Sequence, residues 1–279
     1  MPKVTAFVVL MLTCICNYTN ATSHRHAYGG IPSDGAYMER NAYIIQFDPV
    51  RKTPRWVAYH IKPSYLNAPE PTDLYRDEKW KTHRNDPTFR NEATRSDYRD
   101  QFHTWRNYAK GHLVPYYISG GDRDNDGRYA TDGDSYDART VHEIMYMTNM
   151  APQHHFNFDG PAGLWHKLET YVRDRLVKER QQEVWVFAGC IYGPREYDVI
   201  GGDVEVPPMF FKLVITETEG NPEILAFLFP HQSTTHGDIQ DYLVSVNIIE
   251  AMTGLDFFPD LHNIDWEEKE RTSTWENWK

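Results

Sequence analysis

Two kinds of apolar pattern divide the chain. Short runs rich in β-branched and aromatic residues recur at 41–48, 55–61, 184–192, 209–216 and 224–229, which predicts strands. The first two are separated by Pro49 to Pro54, so they are expected to pair across a turn. Over 163–181, Leu164, Leu168, Val172 and Leu176 recur every four residues behind Gly160-Pro161, and this spacing predicts a helix. A second helix is predicted over 239–253, stopped by Gly254. Residues 62–108 are polar and punctuated by Pro, which predicts mostly irregular structure. No internal repeat interrupts this order. Strands dominate, with helices inserted between them. The expected fold class is α+β, with a mixed, mainly antiparallel central sheet and flanking helices.

The ends of the chain read differently. Lys3 precedes an apolar run from Val4 to Cys16, followed by Asn17-Tyr18-Thr19-Asn20-Ala21. Residues 1–21 read as a signal peptide cleaved after Ala21, and secretion is the expectation. A mitochondrial presequence, which wants repeated Arg on an amphipathic helix, fits less well, and a retained anchor is the other alternative. The run is short against the roughly 20 residues that span a bilayer, and no later segment is apolar enough to cross one. Residues 22–38 are expected as a loose leader, 39–265 as one domain and 266–279 as a charged, peripheral tail. Of three cysteines, Cys14 and Cys16 fall within the expected signal. Cys190 lies in the strand pattern 184–192 and is expected to be a packed core thiol.

Lys and Arg number 29 against 40 Asp and Glu, for a net charge of −11. That excess argues against coating nucleic acid by bulk charge. It leaves room for a local basic groove, because charge attraction decays over about 8–10 Å at ordinary salt.

Three segments carry candidate chemistry: Lys110-Gly111-His112, Thr148 to Gln153 with Asn157, and Trp165 to Glu169 with Arg173. Each has a bland reading. His beside Gly suits a turn, Asn-rich segments are commonly turns, and Glu169 and Arg173 are spaced like a surface ion pair. On a helix, however, Glu169 and Arg173 share a face with Trp165 and Leu176. Charges beside such neighbours need partners, and a metal and a phosphate would supply them. His112 offers an imidazole that titrates near neutrality, suited to deprotonating water. Asn157 offers a hard oxygen of the kind Mg²⁺ accepts, and Lys110 positive charge for a phosphate.

These segments resemble the DNA/RNA non-specific endonuclease family. Gly111-His112 matches the second half of its Asp-Arg-Gly-His signature, and Thr148-Asn149-Met150-Ala151-Pro152-Gln153 its next segment. Asn157 stands for its metal-binding Asn, and Trp165 to Glu169 for its Trp-x-x-x-Glu helix. The likeness runs from about residue 40 to 262 in the family's order. It implies a ββα-metal active site and Mg²⁺-dependent hydrolysis of DNA and RNA backbones, single- and double-stranded, leaving 5′-phosphate ends. Mn²⁺ is a possible substitute metal. By resemblance, His112 is the general base, Asn157 the metal ligand and Glu169 the group that orders metal-bound water. Arg173 and Lys110 steady the phosphate, and Arg76 is a further phosphate contact. Asn149 and Gln153 are implied to lie against the substrate and hold the site's shape. The chain departs from the signature at Ala109 and Lys110, where the family has Asp and Arg. Lys keeps the charge but loses the bidentate fork. The departure also keeps alive a second reading, a descendant that binds nucleic acid and cuts it poorly.

A further segment, Asp122-Arg123-Asp124-Asn125-Asp126-Gly127, begins like a Ca²⁺ loop with acids at alternate positions. The usual closing Glu is absent, Gly133 standing at that position. Asp122, Asp124 and Asp126 are therefore candidates for a structural Ca²⁺, or members of a solvated acidic loop.

Overall fold

The computed structural model describes residues 25–66, 82–99, 101, 107–194, 197–261, 268–269 and 274–278. The strands are β1 (Met38–Glu39), β2 (Ile44–Asp48), β3 (Thr53–Ile61), β4 (Tyr108–His112), β5 (Met150–His154), β6 (Val184–Ile191), β7 (Val199–Ile200), β8 (Val204–Glu205), β9 (Met209–Thr218), β10 (Asn221–Pro230) and β11 (Leu243–Val244). The α-helices are α1 (Ser135–Ile144), α2 (Leu164–Thr170) and α3 (Val246–Thr253).

Seven strands form one sheet in the order β1-β2-β3-β6-β9-β10-β11, and every neighbouring pair is antiparallel. The expected α+β class and antiparallel sheet are therefore present. Strand residues alternate between two cores, as the period of two requires. From β3, Val57, Tyr59 and Ile61 enter one core with Trp165, Leu168, Val172 and Leu176 of the helical segment that starts at α2. Trp56 and Ala58 enter the other, with Val246 and Ile249 of α3 and with Phe257 and Phe258. Both faces are covered, which explains the nearly continuous apolar runs in the central strands. Cys190 is buried among the first set, as expected, and burial pushes its thiol pKa far up.

Four expectations change. The segment 22–38 is not loose over its described part. His26, Ala27 and Tyr28 are buried, and Tyr28 Oη donates to Glu217 Oε2 at 2.5 Å. The helix over 163–181 is α-helical only to Thr170 and continues as a π-helix over Tyr171–Glu179. An apolar repeat of four fits either winding, and only packing chooses between them. The expected helix 239–253 breaks. Leu243–Val244 pairs with the edge of β10, a 3₁₀ turn precedes it, and α3 starts after Ser245 and ends at left-handed Gly254. Finally, Trp278 of the tail is buried against the first core.

Candidate active site

β4 and β5 form an antiparallel pair outside the main sheet, with Gly111 opposite Ala151 and His112 opposite Met150. β5 runs into a π turn (His155–Asp159) and then α2. Strand, strand and helix thus follow the expected ββα order. Two close approaches require glycine. A Cβ on Gly111 would lie 2.0 Å from Gln153 Oε1, and one on Gly163, where α2 begins, 2.1 Å from Phe158 O.

Trp165 joins the pieces. Its indole Nε1 donates to His112 O at 3.1 Å. Phe158, next to Asn157, stacks on Trp165 with ring centroids 5.6 Å apart. Lys212 Nζ lies 3.6 Å from the centroid of the same indole, and donates to Glu169 Oε1 at 3.0 Å. The strand bearing His112, the turn bearing Asn157 and the helix bearing Glu169 therefore meet around one buried tryptophan.

His112 Nε2 is buried and has no hydrogen-bond partner among the described residues. Burial, aided by the positive charge of Lys110, lowers its pKa to about 4, so the ring is neutral at neutral pH. Lys110 itself is lowered by burial and by Arg95. His83 lies alongside His112, ring centroids 5.5 Å apart, and is lowered to about 2 by burial and then by His112. Residues 82–86 are held there by Arg84 N donating to Met145 O at 3.0 Å and Met147 N to Arg84 O at 2.9 Å.

Asn149 is fully buried, and its amide is spent on the fold. Oδ1 accepts from Val114 N at 2.9 Å, while Nδ2 donates to Val114 O at 3.0 Å and to Ile144 O at 2.9 Å. Of the two roles expected for it, the geometry matches shape-holding and not substrate contact. Asn149→Ala leaves three buried backbone groups unpaired, at about 1–3 kcal/mol each. Urea unfolding should register a loss of at least ~3 kcal/mol; an unchanged midpoint would refute this role. Gln153 is fully buried too, and neither end of its amide has a partner among the described residues. It faces Ala109, where the family signature carries Asp.

Asn157 Nδ2 donates to Ser233 O, so its carbonyl oxygen is the end that could meet a cation. Arg173 does not pair with Glu169. It forms a two-pronged contact with Asp174, Nε to Oδ1 at 2.8 Å and Nη2 to Oδ2 at 2.9 Å, and lies 5.6 Å from the Tyr117 ring. Arg76 lies outside the described residues.

Sequence reading missed Lys212, His83, Asp159 and His231. Lys212 had a signal: a lone cation at a core-facing position of an apolar strand. Asp159 is raised to about 7 by burial and then by Glu169. His231 Nδ1 donates to Pro207 O at 2.7 Å and its Nε2 accepts from His154 N at 2.8 Å. These contacts hold one neutral tautomer, and burial lowers the pKa to about 3.

The family model for DNA/RNA non-specific endonucleases matches residues 23–263. The chain belongs to the DNA/RNA non-specific endonuclease family. It is 28% identical over 251 residues to the mitochondrial nuclease EXOG of Xenopus laevis, covering 83% of this chain and 61% of that protein. It is 25% identical to mitochondrial endonuclease G of Bos taurus, covering 83% of this chain and 72% of the relative. Endonuclease G in the solved EndoG/EndoGI complex shares the fold, with a TM-score of 0.67, 23% identity and coverage of 88% and 92% of the two chains. The chain thus spans about three fifths of the length of the EXOG nucleases it matches.

These relatives overturn the expectation of secretion. The EXOG and endonuclease G proteins that the chain matches are mitochondrial nucleases. One Lys before an apolar run is a signal of composition only, and residues 1–21 lie outside the described residues. Among the described residues no helix is long and apolar enough to cross a membrane.

Proposed function

We propose that this protein is a metal-dependent endonuclease that hydrolyses phosphodiester bonds in DNA and RNA, leaving 5′-phosphate ends. The observation that carries the reading is the His112 imidazole: neutral, with Nε2 buried and without a hydrogen-bond partner among the described residues, on the strand that Trp165 ties to the helix of Glu169. A buried nitrogen without a partner calls for an explanation, and a proton-accepting role supplies one.

The donors present fit a hard divalent ion. The Asn157 carbonyl oxygen and the Glu169 carboxylate are all-oxygen ligands of the kind Mg²⁺ prefers, directly or through water, and Mn²⁺ is accommodated by the same set. Asn157 is the direct ligand in this reading and Glu169, held by Lys212, orients bound water. When bound, such an ion would offset negative charge on the phosphate and on the departing 3′-oxygen.

The chain's own groups supply the rest. His112 Nε2 takes the proton of a water molecule, whose oxygen attacks phosphorus. The bond from phosphorus to the 3′-oxygen breaks, that oxygen takes a proton from solvent water to become a hydroxyl, and the phosphate stays on the 5′ side. Lys110 and Arg173 present positive charge to the nonbridging oxygens, and Arg76 is proposed as a further phosphate contact. Gripping the backbone alone gives no base readout, so little sequence preference follows.

Supercoiled plasmid and a structured RNA, incubated with the full chain and Mg²⁺, should both be degraded, and EDTA should stop the reaction. Asn157→Ala should do the same as EDTA. Retained binding with no cleavage under any divalent ion would instead support the binding-only reading that Ala109 invites.

A further inference from the structure

We propose that the loop from Asp122 to Gly127, together with the start of α1, holds one Ca²⁺ ion through the carboxylates of Asp122, Asp124 and Asp137. The loop supplies acids at alternate positions but lacks a closing Glu in sequence. The fold supplies the missing acid from elsewhere. Asp137, near the start of α1, brings a carboxylate oxygen to within 4.8 Å of those of Asp122 and Asp124.

Asp137 carries the argument beyond a cluster of surface acids. Its relative exposure is 0%. Oδ1 accepts from Arg123 N at 3.2 Å, while Oδ2 is buried with no hydrogen-bond partner among the described residues. A buried carboxylate oxygen without a partner is strongly disfavoured, and a bound cation removes the penalty.

A second trio, Asp124, Asp126 and Asp134, shares Asp124. Both trios are held by backbone donors: in the first, Asp122 accepts from Asp126 N at 3.1 Å and from Gly127 N at 3.0 Å. In the second, Asp134 Oδ1 caps α1, accepting from Tyr136 N at 2.8 Å and Asp137 N at 3.0 Å, and Asp126 Oδ1 accepts from Arg128 N at 2.8 Å. The ion is assigned to the trio that includes Asp137, because that trio alone holds a buried carboxylate oxygen with no hydrogen-bond partner among the described residues.

Among the described residues no neighbouring cation forms an ion pair with Asp137, although the Arg123 charge acts on it from nearby. The Arg123 side chain donates Nη2 to Ile118 O at 2.7 Å and lies 4.2 Å from the Tyr65 ring centroid. Arg25 donates Nη1 to Tyr136 Oη at 2.6 Å. Arg128 Nη1 reaches only Asp134 Oδ2, at 3.8 Å.

An all-carboxylate trio without His or Cys selects a hard cation over zinc. Ligands drawn from an irregular loop suit the flexible coordination of Ca²⁺ better than the near-octahedral demand of Mg²⁺. The bound ion would clamp the loop to α1. The far end of α1 offers Ile144 O to Asn149, so the clamp would also steady the start of β5.

Calorimetric titration of CaCl₂ into the full chain tests the proposal without reading activity. The parent and Asn157→Ala should each bind Ca²⁺ at this site with the same affinity, and both should melt at higher temperature with Ca²⁺. Asp124→Asn changes an exposed residue, so its circular dichroism should match the parent. It should bind at least ~10-fold more weakly, having lost one charged ligand. Three outcomes would each overturn the proposal: no Ca²⁺ binding by the parent, undiminished affinity in Asp124→Asn, or loss of the site in Asn157→Ala. In Asn157→Ala, which lacks the proposed catalytic ligand, a rise in melting temperature with Mg²⁺ equal to that with Ca²⁺ would overturn the assignment to Ca²⁺.

Discussion

His112→Ala should lower the rate of DNA and RNA cleavage by about a hundred- to ten-thousandfold, the range that a positioned general base contributes, with the fold intact. His112 ends β4, and its Nε2 makes no hydrogen bond among the described residues that the substitution would break. Circular dichroism and melting temperature should therefore stay close to the parent. Cleavage at the parental rate would remove His112 from the mechanism.

The pH profile gives an independent check on the same ring. A general base works in its neutral form, so activity falls as pH drops through the pKa of the base. An ordinary imidazole would place that fall near 6.5. Burial and Lys110 lower His112 to about 4, so this group's limb should lie near pH 4. Between pH 5 and 8, protonation of His112 should contribute no loss of rate. A His112-dependent limb near 6.5 would contradict the buried, neutral ring.

Lys212→Met should have the second largest effect, on stability and activity together. Lys212 is 1% exposed, lies over Trp165 and bonds to Glu169. Removing it leaves the Glu169 carboxylate partly buried without its cation, and breaking such a pair typically costs about 3–5 kcal/mol. Glu169 would also lose the contact that aims it, so cleavage should fall. The double variant Lys212→Met with Glu169→Gln separates the two effects. Neutralising both partners should restore much of the stability, as read by urea unfolding, but not cleavage. A Lys212→Met variant that cleaves like the parent would show that Glu169 needs no such support. A double variant no more stable than the single one would show that the lost stability lies in packing on Trp165.

Several features of the site could be read along the chain because each depends on neighbours in sequence. Gly111-His112 sits within one strand, and Trp165 and Glu169 lie one helical turn apart. The apolar alternation of β3, β6, β9 and β10 revealed a sheet because the period of two is local. Where the reading failed, long-range contacts outweighed local preference. The segment over 239–253 has the composition of a helix throughout, yet Leu243–Val244 adds a strand because the edge of β10 offers unpaired backbone groups. Residues 26–28 look like a polar leader, yet Ala27 and Tyr28 fill the second core and His26 is buried. Arg173 is spaced to meet Glu169, yet it pairs with Asp174 while Lys212, 43 residues from Glu169, takes that partner.

By itself, the sequence determined the class of fold, the family and the residue types of the proposed catalytic centre, because periodicity and motif spacing are properties of adjacent residues. Only the tertiary structure decided which charges meet. It set the neutral state of His112, gave Asn149 to the backbone of Val114 and Ile144, and brought Asp137 beside Asp122 and Asp124. Burial and pairing between distant segments set those outcomes, and neither is written in any short stretch of chain.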